Sequence, residues 1–284
     1  MPQAYRERFY RSPDDLRLYY RDYGDPLSPR VPLLCLTGLT RNSKDFERLA
    51  TRFAPERRIV CPDYRGRGRS AYDPDWRNYR PETYLADIRH LLAAANLHRV
   101  VVIGTSLGGA LAMALGVAQP AALAAVVLND VGPELDTRGI GRILDYIGVD
   151  RPQPDWPRAI THLKTMFPNL GLETEAEWQR TAEGTFRTGQ DGLLHFDWDL
   201  ALAKPLLHGR GALPELWPLF RSLRKIPVLA VRGSASDVLS EATFARMAQE
   251  KPDLVRVTVP GVGHAPSLDE TVSRAALERF LAEL

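Results

Sequence analysis

The sequence lacks most features of secreted and membrane-spanning proteins. Its only two cysteines, Cys35 and Cys61, lie in apolar runs, which indicates reduced core thiols and excludes a disulfide framework. No run approaches the roughly 18 apolar residues that a membrane-spanning helix needs. Residues 1–8 are polar and lack the apolar stretch of a signal peptide. We therefore expect a cytoplasmic protein.

A large excess of charge of either sign is also lacking. The chain has 284 residues, and 37 lysines and arginines oppose 35 aspartates and glutamates, a formal net charge of +2. So small a charge argues against nucleic-acid and anionic-membrane partners. A small-molecule substrate is expected instead, and nothing in the residue pattern suggests a metal site. The oligomeric state is left open, with a homodimer as one alternative.

Short apolar runs alternate with longer helical patterns, which indicates parallel strands joined by helices. Strands are predicted at residues 16–23, 31–36, 58–61, 99–103, 124–128, 227–231 and 254–259. Helices are predicted at residues 43–53, 81–95, 107–118, 240–249 and 268–284. The chain is therefore predicted to have an α/β fold.

The alternation stops between residues 134 and 221, where the sequence shows only helical pieces cut by prolines. We interpret residues 1–133 and 222–284 as one α/β core and residues 134–221 as a helical cap. Such an insertion would cover the carboxyl ends of the strands, where open α/β sheets bind ligands. Its aromatic residues either line an apolar pocket or form the cap's own core. They are Trp156, Trp178, Trp198, Trp217, Phe167, Phe186, Phe196 and Phe220.

The motif G-x-S-x-G occurs at Gly104, Ser106 and Gly108, between a predicted strand and a predicted helix. In this nucleophile elbow the serine stands on a sharp turn, which leaves its hydroxyl free. The flanking glycines let the chain pass its neighbours without a Cβ clash. Ser106 is therefore the predicted nucleophile.

A serine nucleophile needs a base, and His264 is the preferred histidine because its loop follows the strand at 254–259. Asp237, which follows the strand at 227–231, is the preferred acid because it gives the chain order Ser, Asp, His. Asp130 follows the strand at 124–128 at the same edge and is the alternative. The other histidines lie beside a helix end or within the expected cap: His90, His98, His162, His195 and His208.

An oxyanion that forms during acyl transfer needs backbone donors. The N–H of Leu107, directly after the nucleophile, is one expected donor. The N–H of Leu39, in the loop after the strand at 31–36, is the other. An ordinary glycine turn at Gly38 is the alternative interpretation of that loop.

Together these landmarks resemble the α/β-hydrolase superfamily over nearly the whole chain. The matching stretches are residues 36–39, 63–70, 104–109, 233–237 and 263–264. The resemblance implies an eight-stranded, mostly parallel sheet, a helical cap after strand 6 and no cofactor. It also implies that Arg65, Arg67 and Arg69 belong to a turn of the fold rather than to a nucleic-acid patch. Many relatives carry His-Gly where this chain has Thr37 and Gly38, so the side chain that steadies the oxyanion loop differs here.

The expected chemistry is acyl transfer from an ester or lactone of a small, apolar molecule, through an acyl-enzyme on Ser106. Some similar members of the superfamily hydrolyse a carbon–carbon bond, and the sequence does not distinguish that reaction from ester or lactone hydrolysis. Haloalkane dehalogenases and epoxide hydrolases are similar in fold but use an aspartate where Ser106 stands. The alternatives are a cofactor-free perhydrolase or haloperoxidase-like activity, and a ligand receptor that does not turn over.

Overall fold

A computed structural model describes residues 4–134, 136–208 and 215–284. The strands are β1 (Tyr5–Arg11), β2 (Arg17–Tyr23), β3 (Leu33–Leu36), β4 (Ile59–Pro62), β5 (Val100–Thr105), β6 (Leu123–Asn129), β7 (Phe186–Thr188), β8 (Leu194–Phe196), β9 (Val228–Gly233) and β10 (Val255–Val259). The helices are α1 (Glu47–Phe53), α2 (Pro81–Ala94), α3 (Leu107–Ala118), α4 (Thr137–Ile147), α5 (Trp156–Met166), α6 (Glu175–Thr185), α7 (Ala203–His208), α8 (Trp217–Ser222), α9 (Glu241–Glu250) and α10 (Thr271–Ala282). None of these helices is long and apolar enough to cross a membrane.

Eight strands form one sheet in the order β1-β2-β4-β3-β5-β6-β9-β10. β2 runs antiparallel to both of its neighbours, and every other pairing is parallel. The predicted eight-stranded, mostly parallel sheet is thus confirmed. All seven strands predicted from the sequence are present, with bounds that differ by at most two residues at either end.

β1 is a strand that the sequence did not predict. Its seven residues, YRERFYR, are mostly exposed, with only Tyr10 buried. A strand at the edge of a sheet keeps much of its surface in water, so β1 carries no strong apolar signal. Its pairing with β2, from Tyr5 opposite Tyr23 to Arg11 opposite Arg17, comes from the backbone.

Helices cover both faces of the sheet. One apolar cluster contains residues of α2, α3 and α8, and the other contains residues of α1 and α10. The central strands are buried on both faces, and all seven residues of β6 are buried. This explains why these strands read as continuous apolar runs.

The chain between β6 and β9 forms α4 to α8 and a short hairpin of β7 and β8; we call it the intervening segment. The expectation of no strand here was wrong, because β7 and β8 are antiparallel strands of three residues each. Strands this short show no period that a sequence pattern can reveal. Residues 135 and 209–214 of the expected cap lie outside the described residues.

The hairpin is attached to the loop after β4. The rings of Phe186, Phe196 and Trp198 stack in series, with centroids 5.1 Å and 4.1 Å apart. Backbone hydrogen bonds then join Gly68 N to Asp197 O at 3.1 Å and Asp199 N to Gly66 O at 2.8 Å. The intervening segment is therefore anchored to the same edge of the sheet that carries the motif residues.

Candidate active site

Ser106 occupies the single residue between β5 and α3. Its backbone has φ 53° and ψ −115°, a conformation that costs energy for a residue with a side chain. The Ser106 N–H donates to Asn129 O at the end of β6, at 3.0 Å. The strained turn is thus fixed by the neighbouring strand, and the half-buried Ser106 side chain faces a cavity.

The two glycines of the motif are required by close backbone contacts. A Cβ at Gly104 would lie 2.4 Å from Gly108 O, and a Cβ at Gly108 would lie 2.1 Å from Leu36 O. Both distances are far shorter than a carbon and an oxygen tolerate. The elbow therefore depends on glycine at both places.

His264 lies in the loop after β10 and lines the same cavity as Ser106. Its Nδ1 is 2.7 Å from Asp130 Oδ2, and the Asp130 side chain is 0% exposed. No hydrogen bond joins Ser106 Oγ to the ring among the described residues. In structures without substrate such contacts are often long and tighten only when substrate binds.

The predicted pairing of Asp237 with His264 is wrong. Asp237 instead forms a two-pronged ion pair with Arg142 of α4, with Nε–Oδ2 at 2.7 Å and Nη2–Oδ1 at 2.9 Å. This guanidinium lowers the pKa of the Asp237 carboxyl. Asp130, the alternative in the sequence, is the partner of His264.

The environment of Asp130 explains why it holds this place. Its Oδ1 accepts the Gly233 N–H at 2.9 Å, and its Oδ2 accepts the Ser236 hydroxyl at 2.6 Å besides the His264 ring. Its backbone, at φ 53°, makes a tight turn directly after β6. Carboxylates that accept several hydrogen bonds can remain buried and charged.

Asn129, which the sequence analysis missed, connects the nucleophile to the histidine loop. Its Nδ2 donates to Thr105 Oγ1 at 3.0 Å and to Pro266 O at 2.8 Å, while its backbone oxygen accepts the Ser106 N–H. An asparagine at a strand end gives no signal by itself in a sequence. Its role follows only from the three segments that it joins.

The predicted oxyanion loop lies against the elbow. Gly108 N donates to Thr37 O at 3.0 Å, and a Cβ at Gly38 would be 3.8 Å from Ser106 Cβ. Within the described ranges, the N–H groups of Leu39 and Leu107 have no hydrogen-bond acceptor. The first N–H groups of a helix have no partner within the helix, which explains why Leu107 has none.

The loop after β4 forms hydrogen bonds to the predicted oxyanion loop. Arg67 Nε donates to Leu39 O at 2.7 Å, and Tyr64 OH donates to Thr37 O at 3.3 Å. The Thr37 hydroxyl itself donates to Arg41 O at 3.2 Å. A buried arginine and a tyrosine thus hold this loop through its backbone oxygens.

The arginine-rich stretch is a turn of the fold, as predicted. Arg65 and Arg67 are fully buried. Arg65 contacts the carboxylates of Asp73 and Asp87 at 2.5 to 2.8 Å, and Arg69 pairs with Glu7 at the surface. A fully buried arginine is not part of a surface that nucleic acid could contact.

The cavity has a volume of about 1610 Å³ and is lined by both the sheet edge and the intervening segment. The backbone of the two regions also meets beside the histidine, where Gly263 N donates to Asn169 O at 2.6 Å. Tyr146 lines the cavity, and burial raises the pKa of its hydroxyl. In the ranges that the structure describes, no group of three His, Cys, Asp or Glu side chains is placed to hold a metal ion.

The aromatic residues divide between the two roles that the sequence left open. Trp156, Phe167 and Phe186 line the cavity. Phe186 is also buried, and so are the other five, which do not line the cavity: Trp178, Phe196, Trp198, Trp217 and Phe220. The cavity wall is therefore only partly aromatic.

A model of the alpha/beta hydrolase family matches residues 33–276. The chain is 34% identical over 275 residues to 3-hydroxybutyrate-oligomer hydrolase of Cupriavidus necator, covering 93% of this chain and 92% of that protein. It is 28% identical over 233 residues to 2-(acetamidomethylene)succinate hydrolase of Mesorhizobium japonicum, covering 82% and 81%. A crystal structure of an alpha/beta hydrolase from Novosphingobium aromaticivorans has a TM-score of 0.94 and 44% identity, covering 100% of both chains.

Proposed function

The chain belongs to the α/β-hydrolase family and is an α/β-fold hydrolase, and from that premise we propose that it is a serine esterase. Ser106 is the nucleophile, His264 the base and Asp130 the acid that orients the base. The N–H groups of Leu39 and Leu107 form the oxyanion hole. The observation that carries this proposal is the 2.7 Å hydrogen bond between His264 and the buried Asp130, in the cavity that also holds Ser106.

The reaction proceeds in two halves. His264 Nε2 takes the proton of Ser106 Oγ while this oxygen bonds to the ester carbonyl carbon, and Leu39 and Leu107 donate to the resulting oxyanion. The bond to the alcohol then breaks, and the alcohol leaves with the proton from His264. A water molecule then attacks the acyl-enzyme in the same two steps, with His264 again as the base, and the acid is released.

Asp130 acts by fixing one state of the histidine. Because it accepts the Nδ1–H, the ring keeps Nε2 free for the serine proton, and the carboxylate stabilises the imidazolium that forms. Nε2 has no hydrogen-bond partner among the described residues. Asp130 stays in place because Gly233 N donates to its Oδ1 and Ser236 Oγ donates to its Oδ2.

The substrates proposed are small esters, including short oligoesters of hydroxy acids. This is supported by the relative that is a 3-hydroxybutyrate-oligomer hydrolase, since units of a hydroxy acid are joined by ester bonds. A cavity of about 1610 Å³ has room for more than one such unit. We also propose that residues 134–221 act as a cap that selects the substrate, because Tyr146 and Phe167 face the cavity.

The test is the Ser106→Ala variant. We expect it to lose at least about 10⁴-fold in kcat, because the attacking oxygen is absent. Rates are measured on p-nitrophenyl esters of increasing acyl length, beside lactones and a meta-cleavage product. Intact mass after treatment with a serine-directed phosphonate shows whether Ser106 is labelled in the unmodified chain.

Ser267→Ala is the matched control, because Ser267 also lines the cavity but its hydroxyl contacts Glu270. This variant should retain both turnover and labelling. Hydrolysis that survives in Ser106→Ala at the unmodified rate would overturn the proposal.

A further inference from the structure

Arg142 is a cation in the cavity that none of the proposed catalytic steps uses. It belongs to α4, in the intervening segment, and it lines the same cavity as Ser106 and His264. Its side chain is 29% exposed, so it reaches the cavity from a largely covered position. A charged group in the cavity that also holds the proposed nucleophile is a candidate for binding a charged part of the substrate.

The contacts of Arg142 leave one edge of its guanidinium free. Asp237 accepts from Nε and Nη2, at 2.7 Å and 2.9 Å, and this two-pronged pair fixes the plane of the group. Nη1 has no hydrogen-bond partner within the part of the chain that the structure describes. Arg142 is therefore rigidly held, with both N–H groups of Nη1 and the second N–H of Nη2 still available.

Arg41, a second arginine in the cavity wall, shows the contrast. Its Nε and Nη2 contact both oxygens of Asp45, at 2.8 Å and 2.6 Å, and its Nη1 contacts the Thr185 hydroxyl. All three nitrogens of Arg41 thus have protein partners. Its contacts suit a structural role, whereas those of Arg142 leave room for a ligand.

The groups around Arg142 favour an anion of low charge. The Phe167 ring centroid lies 5.7 Å from the guanidinium carbon, and the side chain of Tyr146 is buried close by. Apolar neighbours strengthen a charge–charge contact. The Asp237 charge, however, already offsets that of Arg142, so a dianion such as a phosphate monoester would lack balance.

We propose that Arg142 binds a carboxylate of the substrate through the edge formed by Nη1 and the second N–H of Nη2, so that the preferred substrates are esters that carry a free carboxylate. Two planar oxygens match the remaining N–H donors of a guanidinium. Asp237 positions Arg142 for this contact. The inference rests on the proposed esterase function and adds the class of ester to it.

The experiment uses two pairs of esters that differ only in charge. The first pair is 3-butanoyloxybutanoate and its primary amide, with the charge on the alcohol part. The second is monoethyl adipate and its primary amide, with the charge on the acyl part. For the unmodified chain we expect kcat/KM to favour the carboxylate by about 10- to 100-fold in at least one pair.

Arg142→Gln should reduce this preference to within about threefold of unity, because the charge-assisted contact is lost. Arg142→Lys should keep part of it, since the charge remains but the planar fork does not. Arg138→Gln is the matched control: Arg138 lies one turn earlier on α4, pairs with Asp136 and is 74% exposed. It should leave the preference unchanged.

Binding to the inert Ser106→Ala variant, measured by calorimetry, separates this inference from the proposed function. A preference for the carboxylate there, together with failure of the phosphonate to label Ser106 in the unmodified chain, would retain the binding site and reject the esterase. Equal binding of the charged and neutral members of both pairs would overturn the inference. So would a preference that survives unchanged in both Arg142→Gln and Arg142→Lys.

Discussion

Two aspartates follow neighbouring strands at the same edge of the sheet, and their surroundings differ greatly. Asp130, directly after β6, is 0% exposed and accepts hydrogen bonds from His264, Gly233 N and Ser236 Oγ. Asp237, after β9, is 31% exposed and pairs with Arg142. The hydrogen bonds of the Asp130 carboxylate are all made to residues of the core, whereas the ion pair of Asp237 joins the core to the intervening segment.

These different surroundings indicate different roles for the two aspartates, one in the reaction and one in substrate selection. The contacts of Asp130 come from β9 and from the loops after β9 and β10, and none of them is made by a side chain of the intervening segment. Asp237 depends on a side chain of α4. We therefore assign Asp130 to the reaction and Asp237 to the placement of the substrate.

The largest difference is expected between Asp130→Asn and Asp237→Asn. An asparagine at 130 can keep the contact but favours the wrong histidine tautomer, so kcat should fall by about 10³- to 10⁴-fold. At 237 the same change should cost less than about tenfold on a neutral ester, because Asp237 pairs with Arg142 and makes no hydrogen bond to His264 among the described residues. The measurement is kcat on p-nitrophenyl butyrate, with circular dichroism to verify folding. An equal loss in both variants would abolish the distinction.

Chain order could not have chosen between these aspartates, because both lie between Ser106 and His264. What decides is burial and the direction of the Asp130 side chain at φ 53°, which depend on how β6 and β9 pair. Ser106, the proposed nucleophile, could be located from the sequence alone. The glycines at 104 and 108 mark the elbow in the sequence itself, because the backbone contacts there exclude any Cβ.

The same limit applies to the fold. The buried central strands are recognisable in the sequence as apolar runs, and the bounds of each were predicted to within two residues. The edge strand β1 and the hairpin of β7 and β8 were missed, because their pairing is made by the backbone or by distant aromatic rings such as Phe186 and Trp198. The local sequence pattern predicts strands that are buried on both faces. It does not predict strands whose pairing depends on residues distant in the sequence.

A smaller effect is expected at Arg67, which tests whether the core also positions the oxyanion loop. Arg67→Met removes the 2.7 Å contact to Leu39 O, so kcat should fall by about 10- to 100-fold with a smaller change in KM. Affinity for a trifluoromethyl ketone that mimics the tetrahedral intermediate should fall in parallel. A purely structural role would lower stability without this split between kcat and KM.

Arg69→Met is the control for that variant, because Arg69 lies in the same loop but is half-exposed and pairs with Glu7. It should keep kcat within about threefold, since a surface ion pair contributes little. If Arg69→Met loses as much kcat as Arg67→Met, the loop as a whole, and not the contact to Leu39, is responsible.

The smallest effect concerns pH and the pair that joins α4 to the core. Arg142 lowers the pKa of Asp237 below its ordinary value of 3.8, so the pair stabilises the fold above that pH, and this contribution is lost as pH falls through the lowered pKa. Asp237→Asn should therefore lower Tm by about 3 °C or less at pH 7 and equally at pH 5. Below about pH 4 the two melting temperatures should converge, because the unmodified chain then loses the same contact. A difference in Tm that disappears already at pH 5, or that persists undiminished at pH 2.5, would show that this ion pair does not hold the intervening segment to the sheet.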